Sequence, residues 1–180
     1  MITNICFFSE NNSNFVNLTT VKIKKFMSHL KAGLKAPLFE GIDQDGNVVK
    51  MSDFAGRKII LYFYPKDDTP GCTAEACNLR DNYDPLLEKG FAVVGVSMDS
   101  EKSHKKFAQK YSLPFPLIAD TSKKILDDYG VWGNKLIFGK SSLGIIRTTF
   151  VIDEQGIIEH VLDKIETKNH TSQILNLYYK

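Results

Sequence analysis

The most constraining feature of the sequence is a short apolar run that leads into a proline-initiated helix with a cysteine in its first turn. Lys58–Tyr64 is rich in β-branched and aromatic residues, which is typical of a buried strand. The absence of internal glycine and the spacing of its leucines predict a helix over Thr73–Leu87. Thr69 then takes the N-cap position and Pro70 the first helical position, where its missing N–H costs nothing. Cys72 therefore lies in the first turn.

A thiol in the first turn of this helix is suited to act as a nucleophile. The positive end of the helix dipole and the unpaired amides of the first turn favour the thiolate, which is the nucleophilic form of Cys72. The alternative is a small apolar core residue, the usual role of a free cysteine. The strand, the cap, the proline and the cysteine together favour the reactive role.

A second cysteine, Cys77, follows five residues later. In an intact helix the two Cα atoms would be about 8.6 Å apart. This separation exceeds the limit of about 7 Å for a disulfide. A bond between Cys72 and Cys77 would therefore require the first turns of the helix to unwind.

Composition excludes several classes of function. A net charge of +2 is too small to indicate binding to nucleic acid or an anionic membrane, and no apolar run approaches the length of a membrane span. Three cysteines are too few for a disulfide scaffold, and the four scattered histidines form no zinc-ligand spacing with them. Two cysteines near a strand–helix junction favour redox chemistry in a reducing compartment, so we expect a cytoplasmic protein.

The first 26 residues differ from the rest of the chain. They are rich in Asn and Ser, show no amphipathic period and lack the pattern of a secretory signal. Their low acidic content leaves an organellar transit peptide open, and Met27 is an alternative start. We expect residues 1–26 to be a disordered or artefactual extension, with no role for Cys6, and a single domain over residues 27–180.

The remaining chain alternates strand and helix patterns. Strands are predicted over Leu38–Ile42, Val48–Met51, Lys58–Tyr64, Phe91–Met98, Phe115–Ala119, Ile145–Ile152 and Ile157–Val161, and further helical segments over Ser52–Gly56, Ser100–Tyr111, Ser122–Tyr129 and a last helix capped by Asn169 or Thr171. Val131–Leu143 is interrupted by glycine and is predicted to be a long loop. Turn residues at Asp43–Asn47 and Asp153–Gly156 predict a hairpin near each end. The order predicts an α/β domain with a mixed sheet covered by helices on both faces.

The motif Pro65-x-x-x-Thr69-x-x-Cys72 resembles the active-site motif of the peroxiredoxins. The added Cys77 makes the stretch similar to the peroxiredoxin Q, or bacterioferritin comigratory protein, subfamily. The resemblance covers about residues 30–180. Further segments that resemble the subfamily are Gly130–Gly133, Gly144–Asp153 and Lys168–His170.

The resemblance implies a thioredoxin-like fold with an N-terminal β-hairpin, and a peroxidase that uses no metal or prosthetic group. By the same resemblance, Cys72 is the peroxidatic residue, which a hydroperoxide oxidises to a sulfenic acid. Cys77 is the resolving residue, which forms a disulfide with Cys72. A thioredoxin-type dithiol then reduces this disulfide.

The resemblance also assigns roles around the thiol. The Thr69 hydroxyl would hold the thiolate and the peroxide, and the Arg147 guanidinium would stabilise charge beside Cys72. Pro65 would shield the thiolate from water, and the backbone amides of Gly71 and Cys72 would donate to the peroxide.

Three further side chains are expected near Cys72. We expect Asp67 and Asp68 to be exposed and largely screened by solvent. Trp132 is expected to pack near the site, with part of a reductant-docking surface as its alternative role.

Two other functions remain open from the residues alone. A thiol–disulfide oxidoreductase would reduce protein disulfides and consume little peroxide, and a redox sensor would oxidise once without turnover. The set formed by Pro65, Thr69 and Arg147 favours turnover. We expect a monomer, because no large apolar segment is predicted at the surface.

Overall fold

The computed structural model describes residues 30–137 and 140–179, and side chains are described for these residues except 135–137 and 140. The predicted extension over residues 1–26, with Cys6, and the alternative start at Met27 lie outside the described residues.

Strands and helices follow one another much as the sequence patterns predict. The strands are β1 (Glu40–Ile42), β2 (Val48–Lys50), β3 (Lys58–Phe63), β4 (Phe91–Ser97), β5 (Leu117–Ala119), β6 (Trp132–Ile137), β7 (Lys140–Ile145), β8 (Thr148–Ile152) and β9 (Ile158–Leu162). The α-helices are α1 (Pro70–Asp81), α2 (Tyr83–Glu88), α3 (Glu101–Tyr111), α4 (Lys124–Asp128) and α5 (His170–Leu175), and a 3-10 helix spans Met51–Phe54.

The centre of the molecule is a five-stranded mixed sheet with the strand order β5-β4-β3-β8-β9. Strands β3, β4 and β5 run parallel, whereas β8 is antiparallel to both β3 and β9. Strand β3 is the middle strand of this sheet, so Ile59–Phe63 are buried. Every residue of the neighbouring strand β4 is buried as well. The continuous apolar composition of these strands thus reflects their position in the middle of a covered sheet.

Alternate residues of β3 divide the core into two clusters. The cluster containing Tyr62 also holds buried side chains from α1, α2, α3 and α5. The cluster containing Phe63 holds buried side chains from α4 and from β2. Helices therefore cover both faces of the mixed sheet, as predicted, and the predicted N-terminal hairpin is present as the antiparallel pair β1 and β2.

One predicted helix is broken in two. The sequence pattern predicts a single helix over Thr73–Leu87, but α1 ends at Asp81 and α2 begins at Tyr83. Pro85 explains the break, because in a continuous helix its ring would clash with the carbonyl group of Asp81 and it has no N–H to donate. Asn82 bridges the two helices, with its side chain donating to the carbonyl oxygen of Asn78 at 2.8 Å.

The prediction of a long loop over Val131–Leu143 is wrong. This segment contains β6 and the start of β7, which form an antiparallel hairpin in which Trp132 faces Ile145 and Gly133 faces Gly144. Residues 141–143 are exposed, so β7 lacks the alternation of buried and exposed side chains that identifies a half-buried strand. The predicted strand Ile145–Ile152 is accordingly two elements, since Ile145 ends β7 and β8 begins at Thr148.

The helices of the described segments, residues 30–137 and 140–179, all fall short of the length and apolar character that crossing a membrane requires.

Candidate active site

Cys72 lies where the central strand passes into the first helix. It follows Pro70, the first residue of α1, and the side chain is buried with 1% of its surface exposed. Thr69 occupies the N-cap position, and its carbonyl oxygen accepts the first helical hydrogen bond from the amide of Thr73 at 2.8 Å. The Thr69 hydroxyl donates instead to the carbonyl oxygen of Lys66 at 3.0 Å and does not cap the helix.

A guanidinium group from a distant part of the sequence contacts the thiol. Arg147 lies in the two-residue link between β7 and β8, and its Nη2 donates to Cys72 Sγ at 3.1 Å. The same Nη2 atom packs over Gly71, where a β-carbon would lie 3.4 Å from it, an ordinary van der Waals contact. The thiol and the guanidinium, 75 residues apart in sequence, are thus held in direct contact.

The second partner of this guanidinium is a buried carboxylate. Arg147 Nη1 donates to Oε2 of Glu75, which is on α1 and fully buried. Glu75 Oε1 has no hydrogen-bond partner within the described residues, and His170 Nε2 lies 3.8 Å from it. Burial raises the pKa of Glu75 to about 7, although attraction to Arg147 opposes this change.

His170 closes the buried end of the site as a neutral ring. Its Nε2 lies 2.9 Å from Thr149 Oγ1, and its Nδ1 lies 3.1 Å from Gln173 Oε1. Gln173 Oε1 accepts only, so His170 Nδ1 carries the proton and Nε2 accepts from the threonine. Burial lowers the pKa of His170 to about 4, and the positive charge of Arg147 acts in the same direction.

The electrostatic centre of the site is therefore one cation between two acidic groups. Desolvation lowers the pKa of Arg147, but attraction to Glu75 and Cys72 outweighs this effect and the pKa is raised. The guanidinium thus stays charged and stabilises negative charge on either neighbour. This arrangement suits a nucleophilic thiolate in a site largely shielded from water.

Tyr62 lies close beneath this centre. Its ring is fully buried, and its hydroxyl has no hydrogen-bond partner among the residues that the structure describes. Burial raises the pKa of Tyr62, and the negative charges of Glu75 and Asp67 raise it further. Tyr62 therefore remains a neutral phenol.

The expectation that Asp67 and Asp68 are both exposed is wrong for Asp67. Asp67 is buried, with only 7% of its surface exposed, because it turns inward under α3. Asp68 is exposed, as predicted, and pairs with Lys110 Nζ at 2.7 Å and with the Tyr111 hydroxyl at 2.6 Å. Neighbouring aspartates of one loop therefore point in opposite directions.

Trp132 does not pack beside the thiol. It packs against the core cluster that contains Phe63, whereas Cys72 belongs to the cluster that contains Tyr62, on the other face of β3. The Lys123 ammonium group lies over the Trp132 ring, 4.5 Å from its centre. The alternation of side chains along β3 produces this separation.

Cys77 lies farther along the same uninterrupted helix. It is half-buried, and both it and Cys72 carry free thiols. Pro65, directly after β3, is also half-buried. Within residues 30–137 and 140–179, no three His, Cys, Asp or Glu side chains converge in a way that would hold a metal ion.

The sequence patterns missed three residues of this site: Glu75, His170 and Tyr62. For Glu75 a signal was present, because residues three positions apart on a helix share one face and Glu75 follows Cys72 by three. His170 lies in the segment Lys168–His170, which resembles the subfamily but suggested no role for this residue, and Tyr62 has no local signal beyond its place in the predicted strand.

Comparison with known proteins agrees with this geometry. The model of the AhpC/TSA family matches residues 32–161. Peroxiredoxin Bcp of Escherichia coli is 47% identical over 150 residues, covering 83% of this chain and 96% of the relative.

Solved structures of peroxiredoxins also resemble this chain. Peroxiredoxin Q of Xanthomonas campestris superposes with a TM-score of 0.74 at 31% identity, covering 81% of this chain and 95% of that one. The bacterioferritin comigratory protein of the same organism, described by its alkyl peroxide reduction activity, superposes with a TM-score of 0.70 at 29% identity, covering 84% and 96%. The predicted thioredoxin-like fold is thereby confirmed. The chain belongs to the AhpC/TSA family, in its peroxiredoxin Q or Bcp branch, and is a thiol-dependent peroxidase.

Proposed function

We propose that Cys72 is the peroxidatic nucleophile, and that it reduces hydrogen peroxide and organic hydroperoxides. The Cys72 thiolate attacks the terminal oxygen of the hydroperoxide, the O–O bond breaks, and the leaving oxygen takes a proton to become water or an alcohol. Cys72 becomes a sulfenic acid. The observation that carries this proposal is the contact of 3.1 Å between Arg147 Nη2 and the buried Cys72 Sγ.

The residues before the thiol would bind the substrate. The Thr69 hydroxyl donates to the Lys66 carbonyl oxygen, so its own oxygen stays available to accept the O–H of a hydroperoxide. The free backbone amides of Gly71 and Cys72, at the start of α1, would donate to the oxygen on which charge develops. Pro65, which has no N–H, would limit access of water to the thiolate.

Cys77 would complete the cycle as the resolving residue. Its thiol condenses with the Cys72 sulfenic acid, so that a disulfide forms and water leaves. Both cysteines lie on the single helix α1, so this step needs its first turns to unwind. A dithiol reductant such as thioredoxin would then restore both thiols by exchange.

The first experiment is peroxide consumption by the purified protein with thioredoxin, thioredoxin reductase and NADPH. We expect turnover in the wild type, none in Cys72→Ser, and slow or thiol-dependent turnover in Cys77→Ser. A wild-type protein in which Cys72 oxidises once without turnover would contradict the peroxidase cycle and indicate a redox sensor. Insulin reduction without peroxide consumption would indicate a protein disulfide reductase.

Amide hydrogen exchange tests the unwinding. We expect faster exchange over residues 74–80 in the disulfide form than in the reduced form, because α1 is continuous only when the cysteines are apart. Equal protection of these amides in both forms would contradict the coupling between disulfide formation and local unfolding.

We also propose that the protein acts in the cytoplasm as a monomer. Support for the compartment comes from the chemistry of Cys72 and Cys77, which must return to free thiols in each cycle and so needs a reducing environment. Cell fractionation and light scattering of the reduced protein test the two statements separately. A membrane or extracellular fraction, or a dimer mass, would contradict them.

A further inference from the structure

A second buried polar cluster lies under the loop that joins β3 to α1, outside the set formed by Cys72, Arg147 and Glu75. Its centre is the carboxylate of Asp67, whose side chain is 4% exposed. Its partners come from the end of β3 and from α3. We refer to Asp67, Tyr64, Ser103 and His104 as the anchor cluster.

The carboxylate of Asp67 is fully engaged by these partners. Oδ1 accepts from the Tyr64 hydroxyl at 2.8 Å, and Oδ2 accepts from Ser103 Oγ at 2.7 Å. His104 Nδ1 lies 2.9 Å from Oδ2 and 3.1 Å from Oδ1. A buried carboxylate with this many donors is held in one position.

His104 faces hydrogen-bond acceptors with both ring nitrogens. Nδ1 points to the Asp67 carboxylate, and Nε2 lies 3.3 Å from the carbonyl oxygen of Ile118 on β5. The Tyr64 hydroxyl, which donates to Asp67, also lies 3.2 Å from Nδ1. The shorter contacts place the Nδ1 proton in a hydrogen bond to the Asp67 carboxylate, and the His104 side chain is fully buried.

The backbone of the same residue is fixed as well. The amide of Asp67 donates to Asp99 Oδ2 at 2.8 Å, and this carboxylate also accepts from Ser97 Oγ at 3.0 Å. On the outer side, Asp68 has a positive φ of 54°, which a non-glycine residue adopts only under constraint. The loop is thus anchored from inside through Asp67, and its outer face is bound to Lys110 at the end of α3.

We propose that Asp67 and His104 form a buried hydrogen-bonded pair that positions the loop carrying Thr69 and the first turn of α1, and so keeps the peroxide-binding arrangement around Cys72 assembled. The pair acts through the loop and does not touch the thiol. This inference rests on the proposed role of Cys72.

The location of the pair supports a positioning role over one in stability. A buried hydrogen bond adds little to net stability, whereas removing one partner leaves a buried polar group unsatisfied. Asp67 is five residues before Cys72 and two before Thr69. The pair joins this loop to α3 and β5, neither of which carries Cys72, Cys77 or Arg147. The loop can therefore stay in place while α1 unwinds.

The hydrogen bond from His104 to Asp67 is the first test, and it uses the reduced wild-type protein. Long-range ¹H–¹⁵N spectra show which ring nitrogens carry a proton. We expect His104 Nδ1 to carry the proton that it donates to the Asp67 carboxylate. A ring in which Nδ1 lacks a proton would overturn the pair without any variant having to fold.

The second test measures the rate at which hydrogen peroxide oxidises Cys72. We expect His104→Gln and Asp67→Asn each to slow this step by about tenfold or more, because small displacements of substrate-binding groups have large effects on rate. The double variant should be slowed by less than the product of the two single effects, since it removes both partners of one contact together. Ser103→Ala, which removes one donor from Asp67, should slow the step by a smaller factor.

A third readout separates positioning from simple loss of stability. At high peroxide, a second peroxide converts the Cys72 sulfenic acid to sulfinic acid in competition with disulfide formation. A loosened first turn favours unwinding, so the anchor variants should give a lower ratio of sulfinic acid to disulfide. Ile158→Val, on β9, is the control, because it lowers stability away from the loop and should leave the ratio unchanged.

Failure of the positioning role can be distinguished from failure of the proposed peroxidase function. Rates and ratios in the anchor variants equal to those of Ile158→Val would refute the positioning role and leave the peroxidase function standing. A wild-type protein whose Cys72 does not react with peroxide would refute the proposed function, and with it this inference.

Discussion

The buried carboxylate beside Arg147 makes the stability of the protein depend on pH in a defined direction. Burial raises the pKa of Glu75 from its ordinary value of 4.5 to about 7. Between these two values the folded state keeps a proton that the unfolded state has lost. The contribution of Glu75 to stability is therefore fully present below pH 4.5 and is lost as the pH rises toward and through 7.

The size of this effect follows from the two values. Each pH unit between them changes the free energy of unfolding by about 1.4 kcal/mol, so the loss from about pH 4.5 to about pH 7 amounts to roughly 3 kcal/mol. Glu75 is fully buried, so solvent screening does not reduce the effect. Such a loss is a large part of the stability of an ordinary domain.

The assay is urea unfolding of the reduced protein at several pH values, in the wild type and in Glu75→Gln. The neutral amide does not titrate, so we expect the stability of the wild type relative to this variant to fall by about 3 kcal/mol over that range. Glu88→Gln, at an exposed position on α2, is the matched control and should show no comparable trend. A difference between wild type and Glu75→Gln that stays constant with pH would refute the reasoning.

Three further predictions concern single substitutions. Arg147→Gln should slow oxidation of Cys72 by peroxide by about a hundredfold or more in stopped-flow measurements, because it removes the donor at 3.1 Å from the sulfur; an unchanged rate would exclude this role. Gly95→Ala should lower the free energy of unfolding by about 1–3 kcal/mol in urea titrations, because the new β-carbon would lie 2.8 Å from the Tyr62 ring; an unaltered midpoint would contradict the close packing. Cys77→Ser should yield Cys72 sulfinic acid in place of the disulfide under excess peroxide, as detected by mass spectrometry, and an intramolecular disulfide in this variant would assign the resolving role elsewhere.

Local signals predicted most of the fold. The run Lys58–Tyr64, the Asp-Gly turn after Ile42 and the helical pattern of Ser100–Tyr111 each carry their information within a few neighbouring residues. Each of these elements is present where it was expected. The mixed sheet then follows from the order of strands and helices.

The errors in the fold have local physical causes. Pro85 breaks a helix that the spacing of leucines suggests is continuous, since its effect falls four residues earlier, at Asp81. The hairpin of β6 and β7 lacks an apolar alternation because exposed residues occupy part of β7, and Gly133 and Gly144 suggest a loop although they face each other across the two strands.

The site was less predictable than the fold because its side chains meet from distant positions. Nothing near Asp67 in sequence indicates that it is buried, since Ser103 and His104 lie 36 and 37 positions later, on α3. Likewise, a basic residue before a strand gives no sign that Arg147 reaches Glu75. Contacts of this kind depend on the register and packing of the whole sheet.

The break between α1 and α2 limits how far disorder can spread when the first helix opens. A helix of 12 residues is barely stable by itself, so α1 depends on its packing, and its only large apolar anchor is Leu79, near its end. The first two turns bury only Cys72, Glu75 and Ala76. Fraying can thus begin at Pro70 without disturbing Leu86 in α2. In the proposed redox cycle, the unwinding would therefore concern the first two turns of α1, while Leu86 would keep its place in the core cluster that contains Tyr62.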